Sequence, residues 1–194
     1  MSNLLQELNH DLSKLAEEAQ RSLVSISNGR RGAGAGTIWH PDGLILTNAH
    51  VVQLRSPEVT LPDGRTAPAR VLAHDKVLDL AALSVDAADL PTIELGDSQR
   101  LQPGEWVLAL GHPWGVDGAA TAGTVIGVGP PPEMATPGRE LIHVGLHLRP
   151  GHSGGPLLDT YGRLVGINTM MAGPDVGLAV PVHVVKAFLR QAIT

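Results

Sequence analysis

Between Leu4 and Leu23 apolar residues return every three or four positions, as Leu4, Leu8, Leu12, Leu15, Ala19 and Leu23, with Glu, Lys and Gln between them. That spacing puts one apolar face on an α-helix and predicts a helix over residues 3–24. The face either packs against its own domain or serves as an oligomer-forming arm. Beyond it the period shortens. The runs "LVSIS", "GAGTIWH", "GLILTNAHVV", "EVTLP" and "APARVLAHD" are short and rich in strand-favouring residues, and "HPDGL" and "LPDGR" place turn chemistry between some of them. "DLAALSV" reads as a buried strand, and "LPTIELGDSQRLQPGE" as a connector with a short strand. This first set fits a small antiparallel barrel.

A second set follows: "WVLALGHP", "ATAGTVIGVG", "ELIHVGLHL", "GPLLDTYGRLVGINTM" and "VGLAVP", with "DTYGR" as a hairpin turn and the Pro-rich 129–140 as an irregular loop. The last segment, "PVHVVKAFLRQAIT", opens with Pro181 in the first helical turn and carries Val184, Val185, Phe188 and Leu189 on one face. The expected organisation is a helical segment over 1–24, a first β-unit over 25–100, a second over 101–180 and a closing helix over 181–194. No strand alternates with a helix, so a Rossmann sheet is excluded and the fold class is all-β.

Composition narrows the chemistry. The chain has 194 residues, 43% of them hydrophobic but only 3% aromatic, so its core is built from Val, Leu, Ile and Ala. A net charge of −5, with no basic cluster longer than Arg30-Arg31, argues against nucleic-acid binding. The absence of cysteine removes disulfides, a thiolate nucleophile and Cys-ligated metal. Nine histidines include no H-E-x-x-H pair, and His10, His40, His74, His112, His143, His147 and His183 are scattered, so neither a metal nor another cofactor is expected. "GRRGAGAGT" lacks the Lys-Ser/Thr of a phosphate loop and reads as a connector into the first β-unit. No run is long and apolar enough to span a membrane. The start mixes acidic and polar residues where a signal peptide needs an apolar run, so the sequence as it stands reads as cytoplasmic; a chain that had lost a leader would be periplasmic or exported.

Three residues stand out against this background. His50 closes the polar insert of "LTNAHVV", Asp79 is an acid in the apolar run "VLDLAAL", and Ser153 lies among glycines in "PGHSGGPLLDT". A serine hydroxyl needs a base to take its proton, and a neutral imidazole held by a buried carboxylate is suited to that role. Asp79 has no local donor, so its partner must come from elsewhere in the fold. The amides of Gly151 and Ser153 are candidates for stabilising an oxyanion, provided the turn is tight. The ordinary alternatives are a locally satisfied histidine, a capping aspartate and a flexible turn.

The blocks "TNAHVV", "DLAAL" and "GHSGGPL" occur in the order His, Asp, Ser and resemble the three signature blocks of chymotrypsin-fold serine proteases. The wider match over residues 23–190, including "GAGTIWHPDGLILTNAHVV", "LGDSQRLQPGEWVLALGHPWG" and "GHSGGPLLDTYGRLVGINT", is similar to the bacterial HtrA/Deg subfamily. The resemblance implies two six-stranded antiparallel β-barrels with the site between them. It implies His50 as general base, Asp79 as its orienting acid, Ser153 as nucleophile, and the Gly151 and Ser153 amides as oxyanion hole. It further implies an acyl-enzyme endopeptidase of protein quality control, acting on unfolded or flexible polypeptides, and a homotrimer formed through the N-terminal segment. "GHSGG" also fits the G-x-S-x-G elbow of α/β-hydrolases, but no alternating helices surround it and no suitable His block follows.

Departures from the family pattern are informative. His152 stands where the family usually has Asn and digestive relatives have Asp; it cannot act as the anion that pairs with a freed N-terminus. Its side chain is expected to face away from the oxyanion pocket. "IHVGLHLRPG" lacks the family's acidic run. His147, Leu148, Arg149 and Pro150, with Thr169, Gly177 and Leu178, are expected to wall the primary specificity pocket, and with no acid at its base it should take a small or medium aliphatic side chain. The family commonly carries PDZ domains after the protease, and none lies within these residues. The competing functional reading is a peptide-binding or regulatory module of the same fold, with an inactive or conditionally formed oxyanion hole.

Overall fold

The structure is a computed structural model that describes residues 2–29, 33–130 and 139–192. Arg30, Arg31 and most of the Pro-rich loop, 131–138, lie outside the described residues. Helix α1 (Ser2–Gln20) ends earlier than its apolar period implies, because Leu23 already belongs to strand β1 (Leu23–Ser27). The stripe divides in two. Leu15, Ala16 and Ala19 pack against the core, whereas Leu4, Leu5 and Leu8 are exposed.

Strand β1 is followed by β2 (Ala33–His40), β3 (Leu44–Thr47), β4 (Glu58–Thr60), β5 (Thr66–Pro68), β6 (Arg70–Asp75) and β7 (Leu80–Ser84). They form a seven-stranded open sheet in the order β5-β4-β1-β2-β3-β7-β6, not the closed six-stranded barrel expected for the first unit. The run "APARVLAHD" supplies the extra strand by breaking at Ala69, whose N–H donates to Pro57 O at 2.8 Å. Strand β5 pairs with β4 and β6 with β7, so these two neighbours in sequence are the two edges of the sheet, and Pro68 sits on an edge strand, where a missing N–H is tolerated. The run "GAGTIWH" lies within β2, which starts at Ala33, inside the "GRRGAGAGT" read as a connector; Gly36 packs closely under Val24, Ile26 and Ile45.

The second unit does close. Strands β8 (Trp106–Gly111), β9 (Ala119–Gly129), β10 (Leu141–Gly145), β11 (Pro156–Leu158), β12 (Leu164–Gly173) and β13 (Val176–Pro181) form a barrel in the order β10-β13-β12-β11-β8-β9. Helix α2 (Val182–Ala192) starts after Pro181 and buries Val182, Val185 and Phe188. Each unit has its own aliphatic core, around Ile26, Ile38 and Ile45 in the first and Val107, Ile142 and Leu157 in the second. A third cluster, including Leu46, Leu80, Leu110 and Leu158, joins them. Among the described residues no helix is long and apolar enough to cross a membrane.

Candidate active site

Strand β3 delivers His50. After Thr47 the chain enters a single 3-10 turn, Ala49–Val51, whose flanking residues Ala49 and Val51 are buried while the His50 ring stays about half exposed, at 47%. Side chains fasten this turn from several directions. Asn48 Nδ2 donates to Asp79 O at 3.0 Å, and His74 Nε2 donates to Ala49 O at 3.0 Å. Asn28, at the end of β1, donates to Val51 O at 2.7 Å and accepts from Gln53 N at 3.0 Å. The imidazole is therefore mounted on a rigid base.

Asp79 stands just before β7 in the left-handed region, with φ of 56°, which is uncommon for a residue other than glycine. It is only 6% exposed. His50 Nδ1 lies 2.9 Å from Oδ2 and 3.0 Å from Oδ1, and the His50 backbone N–H donates to Oδ1 at 3.1 Å. The donor that the sequence required from elsewhere also includes Thr169 of β12, whose hydroxyl donates to Oδ2 at 2.5 Å. Burial works against the carboxylate charge, but the hydrogen bonds from His50 and Thr169 outweigh it and hold the Asp79 carboxyl below its ordinary value. An ionised Asp79 fixes the proton on Nδ1, which leaves the Nε2 lone pair as the basic site of the ring.

Ser153 comes from the other unit, in the turn before β11. The first sheet grips this turn. Ala35 N donates to Ser153 O at 2.9 Å, and Thr37 Oγ1 donates to Gly154 O at 3.1 Å. A Cβ on Gly154, at φ of 87°, would lie 2.0 Å from Ala35 O, so only glycine admits this approach. The Ser153 hydroxyl donates to Thr169 O at 2.7 Å rather than to His50. Both residues line the same cleft, and rotation about the serine Cα–Cβ bond is what would redirect the hydroxyl to Nε2.

Residues Arg149-Pro150-Gly151-His152 form a β-turn closed by His152 N donating to Arg149 O at 2.9 Å. Pro second and Gly third, with Gly151 at φ of 106°, is the signature of a type II turn. Its backbone bonds leave the N–H groups of Gly151 and Ser153 without an acceptor among the described residues, as an oxyanion hole requires. His152 is buried, 2% exposed, and does not line the recesses beside Ser153; its backbone runs against the end of β8, where a Cβ on Gly111 would meet His152 Cα at 2.5 Å.

A recess of about 330 Å³ opens beside His50 and Ser153. Of the expected wall residues, Leu148, Arg149, Pro150 and Thr169 line it. His147, Gly177 and Leu178 do not: His147 is exposed beside Asp175, Leu178 is 1% exposed in the core, and Gly177 packs behind Leu146 and Leu148. Met170 and Met171 line it instead, and Met171 Sδ accepts from Leu148 N at 3.1 Å. A smaller recess that shares His50, Pro150 and Ser153 with it is also bounded by Asn28, Val51, Gln53 and Gly151.

A second Ser–His–acid row also exists. Ser98 Oγ is 2.9 Å from His183 Nδ1, and His183 Nε2 is 3.3 Å from Glu140. Ser98 is completely buried and accepts the His183 N–H at 3.2 Å, an arrangement that ties the start of α2 to the connector between the units. No substrate reaches that hydroxyl. Among the described residues no cluster of His, Asp and Glu could hold a metal ion.

An open sheet and a closed barrel that meet at a His–Asp pair and a glycine-framed serine define a trypsin-like serine-protease domain. Residues 34–167 match the family described as "Trypsin-like peptidase domain", and the chain belongs to that family as an HtrA/Deg-like member. It is 40% identical over 170 residues to the "Putative serine protease HhoB" of Synechocystis sp., covering 84% of this chain and 41% of that protein. It is 40% identical over 166 residues to the "Probable periplasmic serine endoprotease DegP-like" of Halomonas elongata, covering 81% of this chain and 34% of that one. The chain thus spans less than half of these curated relatives. Among solved structures, "HtrA-type protease AlgW with tripeptide" superposes with a TM-score of 0.85 at 29% identity, over 92% of this chain and 62% of that one.

Proposed function

We propose that this chain is a serine endopeptidase that cleaves unfolded or flexible polypeptides through an acyl-enzyme, in protein quality control. The observation that carries the reading is the His50 Nδ1–Asp79 bond at 2.9 Å, in a cleft shared with Ser153 and two amides that lack acceptors among the described residues. In the proposed sequence Ser153 Oγ attacks the scissile carbonyl while His50 Nε2 takes its proton. Gly151 and Ser153 N–H groups receive the developing oxyanion. His50 then returns the proton to the leaving amine, and water repeats the steps to release the acid.

Leu148, Met170 and Met171 around the larger recess favour an aliphatic P1 side chain, and no carboxylate among its lining residues would attract Lys or Arg. The exposed Leu4, Leu5 and Leu8 support a homotrimer contact through α1, and the net charge of −5 supports a polypeptide rather than a nucleic-acid partner. The second reading, a regulatory module with a conditionally formed site, draws on the Ser153 hydroxyl resting on Thr169 O. A peptide series differing only at P1 separates the two. Hydrolysis of Val or Leu at P1 at least roughly tenfold faster than Lys, and lost in Ser153→Ala, supports the protease. No cleavage of any peptide or of casein by the folded chain supports the module.

A further inference from the structure

Two of the apolar side chains that wall the recess beside Ser153 carry sulfur. Met170 and Met171 are consecutive in β12, where register shifts after Asn168 and again after Met171 bring both onto one cavity. Each is half-buried, so its thioether faces whatever enters the recess as well as the protein behind it. The two sulfurs differ in their surroundings. Met171 Sδ accepts the Leu148 N–H at 3.1 Å, which ties β12 to another residue of the same wall. Met170 Sδ has no donor among the described residues, so its lone pairs are free. The sequence holds no cysteine, and no thiol competes with these thioethers for an oxidant.

We propose that Met170 and Met171 are a site of reversible sulfoxidation, with a hydroperoxide as oxidant, that turns the recess from an aliphatic into a polar one. A sulfur lone pair attacks one oxygen of hydrogen peroxide. The S–O bond forms as the O–O bond breaks, the proton of the attacked oxygen passes to the departing one, and water leaves. Sulfur gives up two electrons and the peroxide takes them. Met170 reacts first, because the Leu148 N–H draws on a lone pair of Met171. The product is a polar side chain where a flexible apolar one stood. An aliphatic P1 side chain then has to displace water from a strong hydrogen-bond acceptor, which costs more than displacing it from a thioether. A small P1 side chain such as Ala reaches less of the wall and loses less. The Leu148 N–H keeps an acceptor, since the sulfoxide oxygen of Met171 can replace the sulfur, so the wall stays folded.

The effect on cleavage rests on the protease reading, whereas the modification is read without turnover. The full chain is treated with hydrogen peroxide and followed by peptide mass analysis. Sulfoxide should appear at Met170 first and then at Met171 while the chain stays folded. The kcat/KM ratio for Leu over Ala at P1 should then fall roughly tenfold or more. Methionine sulfoxide reductases acting on the two epimers should restore it. The ratio of the double variant Met170→Leu, Met171→Leu should not respond to peroxide, and reversal by the reductases carries the same conclusion in wild type should that variant fail to fold. No sulfoxide at either residue under peroxide that fully oxidises a short methionine peptide would overturn the proposal. So would an unchanged ratio in the doubly oxidised chain, or an equal response in the double variant. If the untreated chain turns over no peptide, the protease reading fails instead. The Leu148 amide NMR signal then decides the site: it should shift as Met171 is oxidised, and a signal that stays in place overturns the proposal.

Discussion

At the residue scale, the acid is held by both β-units. Asp79 belongs to the first sheet, yet one of its oxygens receives the hydroxyl of Thr169, 90 residues away on the barrel. The same threonine's carbonyl accepts the Ser153 hydroxyl, so Thr169 touches two of the three central residues. Thr169→Val keeps the shape and removes one charge-assisted donor from a buried carboxylate. It should cost about 1.5–3 kcal/mol of stability and lower kcat/KM by roughly tenfold, measured by urea denaturation and peptide hydrolysis. Unchanged values for both would mean that Asp79 is oriented by His50 alone. His50, Asp79 and Ser153 stood out in the sequence because each is polar in an apolar or glycine-rich run. Thr169 gave no such signal as a partner of Asp79, since the pairing exists only once the two units meet.

At the element scale, local pattern and long-range packing diverge at identifiable places. The strand runs were legible, but "APARVLAHD" reads as one strand, whereas Ala69 still follows β4 through Pro57 O and the chain after it pairs with β7 instead. That break makes seven strands of six, with β5 and β6 at opposite edges of an open sheet. In β12 the register shifts after Asn168 and again after Met171. Strict alternation would send Met170 away from Thr169 and Met171; the bulge lets all three line one recess, and the sequence gives no warning of it. The glycines of the serine turn were read for their backbone freedom, and Gly154 has a further constraint from Ala35 O and Thr47 Oγ1. Gly154→Ala combines a positive φ with a clash against a strand of the other unit. It should destabilise by at least about 2 kcal/mol and detach the serine turn from β2, seen as lost hydrogen-exchange protection of the Ala35 amide.

At the scale of the whole molecule, neither unit contains a working site alone. The first sheet contributes His50 on a braced turn and Asp79 before β7, while the barrel contributes Ser153, the type II turn and most of the recess lining. Closure of the interface, through Leu46, Leu80, Leu110 and Leu158 and through Ala35 N to Ser153 O, brings the nucleophile to the base. In the proposed reaction this closure is what makes Ser153 a nucleophile. A fluorophosphonate reacts covalently with a serine only when a base and an oxyanion site assist it, so intact-mass analysis after exposure near pH 7.5 reads the claim directly. The expected result is one adduct per chain, mapped to Ser153 and absent in Ser153→Ala. A folded wild-type chain that takes up no label between pH 6 and 9, or an adduct that persists in Ser153→Ala, would contradict it.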